Sequence, residues 1–89
     1  MDGTQTQLAW DPDVRQRYER MIAKIPLFHR GIAKEVVDKK AVINALDRGS
    51  AQVEEEDVVR AFLTEVPKAF YSLMIRLMDE VGFHADRYE

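Results

Sequence analysis

The stretch Ile25-Pro26-Leu27-Phe28-His29-Arg30-Gly31 separates two helical sequence patterns, and it therefore decides how the chain folds. Pro26 disfavours the helical conformation at the residue before it, so the first helix is expected to end at Ile25. Proline is tolerated in the first turn of the next helix, where its missing N–H is not needed. The stretch thus predicts a helix–proline–helix corner, with Phe28 pointing inward and Arg30 at its rim.

Apolar spacing on both sides of this corner predicts an all-α, four-helix domain. The first helix begins at Asp11-Pro12-Asp13, where aspartate can cap the helix and proline fits its first position. The second helix is expected from about residue 28 to residue 48, interrupted on its apolar side by Lys39-Lys40. Its expected core-facing stripe comprises Phe28, Ile32, Val36, Ile43 and Leu46, widened by Ala33, Val37, Ala41 and Ala45.

The second half of the chain predicts two shorter helices. Glu54-Glu55-Glu56-Asp57 supplies carboxylates at the start of the third, where a helix favours negative charge. Val66-Pro67 repeats the logic of the first corner and opens the fourth helix, which Gly82 should stop. The expected organisation is a flexible N-terminus at residues 1–9, a single helical domain at residues 10–83 and a tail at residues 84–89.

Composition narrows the class of protein. With 89 residues the chain is long enough for one domain, and the lack of cysteine excludes disulfides and thiolate metal sites. Residues 1–48 carry nine basic and seven acidic side chains (+2), and residues 49–89 carry four and nine (−5), which sum to the net −3. The pI of about 5.4 counts against nucleic-acid binding. No membrane-length apolar run or signal peptide is evident, so a cytoplasmic protein is expected.

Chemistry-bearing motifs are scarce. His29 and His84 are the only histidines and lack a metal-ligand spacing, so no metal site is predicted. Ser50 and Ser72 are the only serines, and neither lies in a nucleophile motif. The sequence therefore predicts a chain that is not an enzyme and binds no cofactor of its own.

The best candidate for recognition is a basic ridge at the corner. Arg30 and Lys34 are four residues apart on the second helix and could hold an acidic partner. The alternative is a surface ion pair with Glu35 or Asp38, and the sequence leaves it open. The partner-binding candidates are Trp10, Pro26, Phe28, Arg30 and Lys34.

Several of these residues also resemble a known family pattern. The pattern is Trp10-Asp11-Pro12-Asp13, then Ile25-Pro26-Leu27-Phe28-His29-Arg30, then Asp38 and Ala41, with Gly49 and Val53 ahead of the acidic helix start. It is similar to the C-terminal domain of the B subunit of light-independent protochlorophyllide reductase, which also occurs as short stand-alone proteins. The resemblance covers residues 10–61.

This resemblance implies a non-catalytic accessory module in chlorophyll or bacteriochlorophyll biosynthesis. Such a module would dock on a larger protein partner, a reductase subunit or a tetrapyrrole-handling complex, and any tetrapyrrole contact would come through that partner. Two alternatives stay open. The long second helix, the short extended link and V-x-x-x-D-V at residues 53–58 also resemble the second half of a histone fold, which implies a homodimer with DNA as a conceivable ligand. A plain protein–protein adaptor is the other.

Overall fold

A computed structural model describes residues 8–88 and confirms the prediction of a small, mostly α-helical domain with four helices. The expected flexible N-terminus lies outside the described residues for positions 1–7. Short 3-10 turns at Lys68–Phe70 and Ala85–Arg87 precede and follow the last helix. The main elements are β1 (Ala9–Trp10), α1 (Pro12–Lys24), α2 (Leu27–Asp47), β2 (Gln52–Val53), α3 (Glu55–Glu65) and α4 (Tyr71–Glu80).

The helix ends follow the local chemistry of the sequence. The Asp11 carboxylate accepts hydrogen bonds from the backbone N–H groups of the first turn of α1, and Pro12 occupies the first helical position. Gly49 and Gly82 end α2 and α4 with φ angles of 74° and 89°, which residues with a Cβ rarely adopt. The backbone N–H of Phe83 then donates to the Met78 carbonyl at 2.8 Å, the bond expected of a Schellman end.

Two short strands were not predicted. Ala9, placed in the flexible N-terminus by the sequence, pairs with Gln52, and Trp10 pairs with Val53 in a parallel ladder. The backbone N–H of Asp11 extends this ladder by donating to the Val53 carbonyl at 2.9 Å. Because each strand has only two residues, neither shows an alternating pattern that the sequence could reveal.

The fourth helix and the tail also differ from the prediction. A 3-10 turn follows Pro67, so α4 begins at Tyr71 rather than at the proline. The segment predicted as a tail packs on the domain: Ala85 is buried, and the backbone N–H of His84 donates to a Glu55 carboxylate oxygen at 2.7 Å. Residue 89 lies outside the described range.

The core lies between α1, α3, α4 and one side of α2. Its large, fully buried side chains are Tyr18, Phe62, Phe83, Met21, Ile25 and Met78. From α2 it receives only the small residues Val37, Ala41 and Ala45 as buried members. The predicted core stripe of α2 is therefore wrong for its large members, because Phe28, Ile32, Ile43 and Leu46 are exposed. The residues expected to widen it include the three that are buried.

A buried charge joins α2 to α3. Asp57 is fully buried and accepts hydrogen bonds from Arg48 Nε at 3.0 Å and Arg48 Nη2 at 2.8 Å. It also accepts the backbone N–H of Glu54 at 2.9 Å, which closes a capping box at the start of α3. The acidic run thus starts the helix as predicted, and one of its carboxylates also locks the two helices together.

Candidate functional site

The side of α2 that faces solvent has large apolar side chains that do not pack in the core of the domain. Along one row of this side, the exposed fractions of the large apolar residues are 92% for Phe28, 68% for Ile32, 47% for Ile43 and 48% for Leu46, while Leu27, 74% exposed, lies off the row at the first position of the helix. The side chains of Glu35 and Lys39 lie between them in the helical spacing. We call the set Phe28, Ile32, Glu35, Lys39, Ile43 and Leu46 the outer face of α2.

The charges of the outer face are placed near its middle. Lys39 Nζ lies 3.9 Å from a Glu35 carboxylate oxygen, and the two side chains are 75% and 69% exposed. A pair this exposed contributes little to folding, because water and salt screen it. Both groups are thus available to a protein that covers the face.

The outer face continues into an apolar groove between the two proline corners. The groove has a volume of about 270 Å³, and both Pro26 and Pro67 line it. The rings of His29 and Phe70, which also line it, lie with their centroids 5.4 Å apart. Ile32 belongs to both surfaces, so we treat this corner groove as the end of the outer face.

The structure separates the five predicted partner-binding residues. Pro26 and Phe28 lie together at the corner, and Phe28 points outward rather than inward as predicted. Trp10 does not join them, since its ring stacks on Tyr18 at a centroid distance of 5.2 Å and lies beneath the Arg15 guanidinium. Trp10 thus covers the domain core at the other end of α1.

Arg30 is occupied by the fold. Its Nε and Nη2 donate to the Ile25 carbonyl at 3.2 and 3.0 Å, and Nη2 also donates to the Ala23 carbonyl at 2.9 Å. These carbonyls belong to the end of α1, which has no further helical N–H groups to satisfy them. The guanidinium therefore caps α1 and ties it to α2 instead of facing a partner.

Replacing Arg30 by alanine should consequently reduce stability. We expect a loss of about 1.5–3 kcal/mol, the contribution of a single hydrogen bond that involves a charged group, because three bonds of one partly exposed side chain contribute less than their sum. Urea denaturation of the variant measures the loss, and Arg30→Lys is the matched control that keeps the charge but loses the planar fork. An unchanged midpoint for the alanine variant would show that the guanidinium is free for another role.

Lys34 forms a surface ion pair with Asp38, which is the alternative that the sequence left open. Its ammonium lies 2.9 Å from an Asp38 carboxylate oxygen, and the Tyr18 hydroxyl donates to the other oxygen of the same carboxylate. Burial, together with this hydrogen bond to Asp38, raises the pKa of Tyr18 well above its ordinary value. The predicted basic ridge is thus divided between two structural contacts.

The part of the chain that the structure describes contains no cluster of metal-ligating side chains. Within residues 8–88, no three or more His, Cys, Asp or Glu side chains are grouped so that they could hold a metal ion. His84 Nδ1 lies 3.1 Å from a Glu55 carboxylate oxygen, a two-member contact at the surface. Over the same residues, no helix combines the length and the apolar character that crossing a membrane requires.

The fold and its surface define a small, mostly helical domain with an exposed apolar helix face. The chain belongs to the family described as "Protein of unknown function (DUF2621)", whose model matches residues 3–89. It matches no curated protein sequence and no solved structure.

The family match overturns the resemblance to protochlorophyllide reductase, because nearly the whole chain fits a different family. The roles in chlorophyll biosynthesis that the resemblance implied are withdrawn with it. The structure gives the physical reason why the pattern misled. Pro26 begins α2 and Arg30 caps α1, so both residues serve a helix–proline–helix corner, a local device that unrelated helical proteins can share.

Sequence reasoning missed the outer face because it judged α2 by side-chain size. One signal was present. Lys39 interrupts the apolar stripe at its middle, and a charged residue at that place favours a solvent-facing row over a core-facing one.

Proposed function

We propose that this chain is a non-catalytic protein-interaction module that binds a helix of a protein partner along the outer face of α2. One observation carries the proposal: the longest helix of the domain presents its large apolar side chains to solvent and its small ones to the core. A folded domain gains nothing from this arrangement, whereas a partner that covers the face removes the apolar surface from water.

The shape of the surface supports a helix as the occupant. The outer face is a narrow row along a helix of 21 residues, and the corner groove lies at one end of it. An amphipathic helix laid along such a row presents its own apolar residues every three or four positions. The partner chemistry we propose is therefore an apolar helical stripe interrupted by charged residues that complement Glu35 and Lys39.

Protein is a better occupant than DNA for this face. A duplex-binding surface needs several Lys or Arg side chains to neutralise phosphates. The outer face has only Lys39, whose charge Glu35 offsets, and the net charge of the chain is −3. We further propose that the interaction takes place in the cytoplasm, since a chain free of cysteine suits a reducing compartment.

Site-specific photo-cross-linking in the native cell tests this proposal. A benzophenone side chain in place of Ile43 on the outer face should form a covalent adduct with a protein on illumination. The same side chain in place of Arg20, which is exposed on α1, is the matched control and should form no such adduct. The mass of the adduct and the sequence of its cross-linked peptide identify the partner.

Two results would overturn the proposal. One is the lack of any protein adduct at position 43, and the other is an equal pattern of adducts at positions 43 and 20. The first would mean that nothing covers the face, and the second that the contacts are random collisions.

A further inference from the structure

We infer that the helix that packs on the outer face is α2 of a second copy of this chain, running antiparallel to the first. This inference rests on the proposed function and names the partner. It is drawn from the spacing and the charges of the exposed residues of α2, which complement themselves when the helix is turned end over end.

The spacing of the residues along this side of α2 is the same whether it is counted from the N-terminal or the C-terminal end. Phe28, Ile32, Glu35, Lys39 and Leu46 of the outer face, together with Val42, which is half-buried against the core, follow one another at steps of 4, 3, 4, 3 and 4 residues. Alternating steps of three and four residues are those of helices that pack along one another. In an antiparallel pair of α2 helices that is centred on position 37, the residue numbers of two facing residues add up to 74. Position 28 thus faces position 46 of the other copy.

The apolar residues then meet apolar residues. Phe28 lies opposite Leu46 of the other copy, and Ile32 lies opposite Val42, with the exposed Ile43 beside it. These contacts occur twice because the pairing is two-fold symmetric, and such a contact closes on itself without leaving a free apolar face. The pairing covers Phe28, Ile32 and Leu46 directly, and Ile43, which faces Gly31 of the other copy, lies at the edge of the contact.

The charges of the row obey the same rule. Glu35 lies opposite Lys39 of the other copy, and Lys39 lies opposite Glu35. Antiparallel packing thus places two opposite-charge contacts at the centre of the interface. A parallel arrangement would instead set each of these residues against its own kind, which like-charge repulsion disfavours. The charges therefore favour a second copy of α2 as the helix that packs on the outer face, and they favour the antiparallel orientation.

Charge reversal at these two positions tests the inference on the purified full chain. The unchanged protein should sediment with twice the 10.3 kDa mass of one chain. Glu35→Lys and Lys39→Glu should each raise the dissociation constant of the homodimer by at least about tenfold, because each puts two like-charge contacts at the centre. An equimolar mixture of the two variants should regain the dimer, since both contacts then pair opposite charges.

The double variant Glu35→Lys/Lys39→Glu is the matched control. It restores opposite charges across the interface and within each helix, so it should dimerise like the unchanged protein. Circular dichroism of both single variants should show unchanged helix content, which separates loss of association from loss of folding.

Engineered cysteines fix the direction, and the natural chain offers no cysteine that could interfere. Phe28→Cys mixed with Leu46→Cys should give a disulfide-linked heterodimer, while Phe28→Cys alone should not, because antiparallel packing separates its two copies by roughly 27 Å along the helix. A Phe28→Cys homodimer linked as readily as the mixed pair would overturn the antiparallel arrangement.

The inference and the proposed function can fail separately. A chain that stays monomeric at high concentration, or single variants that associate as tightly as the unchanged protein, would overturn the inference. If position 43 still cross-links to a different protein in the cell, the proposed function stands with another partner. A cross-linked peptide from α2 of the same chain supports both.

Discussion

Replacing Asp57 by alanine is expected to lower the free energy of unfolding by about 3–4 kcal/mol, which is a large part of the stability of a domain this small. The carboxylate is fully buried, and its two oxygens accept hydrogen bonds from Arg48 and from the Glu54 backbone N–H. Its removal leaves the Arg48 guanidinium with only the Glu56 carboxylate, 3.7 Å away, and leaves an orphan N–H at the start of α3. Urea denaturation followed by circular dichroism gives the change.

Asp57→Asn is the matched control, because it keeps the size of the side chain and removes its charge. It should cost less than alanine, since the amide oxygen can still accept one of the hydrogen bonds. Arg48→Ala and the double variant complete a cycle that isolates the pairing itself. A loss below about 1 kcal/mol for Asp57→Ala would contradict a structural role for this carboxylate, because the Asp57–Arg48 pair would then be no stronger than an exposed salt bridge.

Local chemistry made part of this fold predictable from the sequence. The start of α1 depends on Asp11 and Pro12, and the ends of α2 and α4 depend on Gly49 and Gly82. Each of these signals acts within a few residues, so no knowledge of the tertiary structure is needed to interpret it. The same holds for the Pro26 corner, where the chain must leave one helix before it enters the next.

Contacts distant in sequence explain what the sequence did not show. Strand β1 forms only because β2 lies beside it. The paired residues Ala9 and Gln52 are 43 positions apart in the sequence. Asp57 looked like one of four equivalent carboxylates, and only the approach of Arg48 makes it a buried partner. The candidate site was half predictable: Phe28 and Pro26 do lie at it, whereas Arg30 is taken up by carbonyls that its own corner brings near.

The largest error of the sequence-based prediction concerned which side of α2 faces the core, and this error has a physical cause. Apolar residues occur on both sides of this helix, so their spacing does not choose between the sides. Size suggested that Phe28 and Leu46 go inside, but the buried side has Ala41 and Ala45 instead. Small residues allow the neighbouring helix to pack closely, and close packing leaves no room for larger ones.

Ala41→Leu and Phe28→Ala therefore form a decisive pair of opposite substitutions. Ala41 is fully buried, so three added carbon atoms should overpack the core and cost about 2–3 kcal/mol or more. Phe28 is 92% exposed, so removing its ring should change the stability of the monomer by less than about 0.5 kcal/mol. Both are measured by urea denaturation of dilute protein, where association contributes nothing.

The comparison decides between two interpretations of α2. If Phe28 were part of the core, its truncation would cost about 3–5 kcal/mol, the usual price of removing a buried phenylalanine ring. Such a loss, together with a harmless Ala41→Leu, would place the large residues inside and leave no apolar outer face for a partner to cover. The opposite result means that the stability of the monomer does not account for Phe28, which is what the proposed interaction along the outer face of α2 requires.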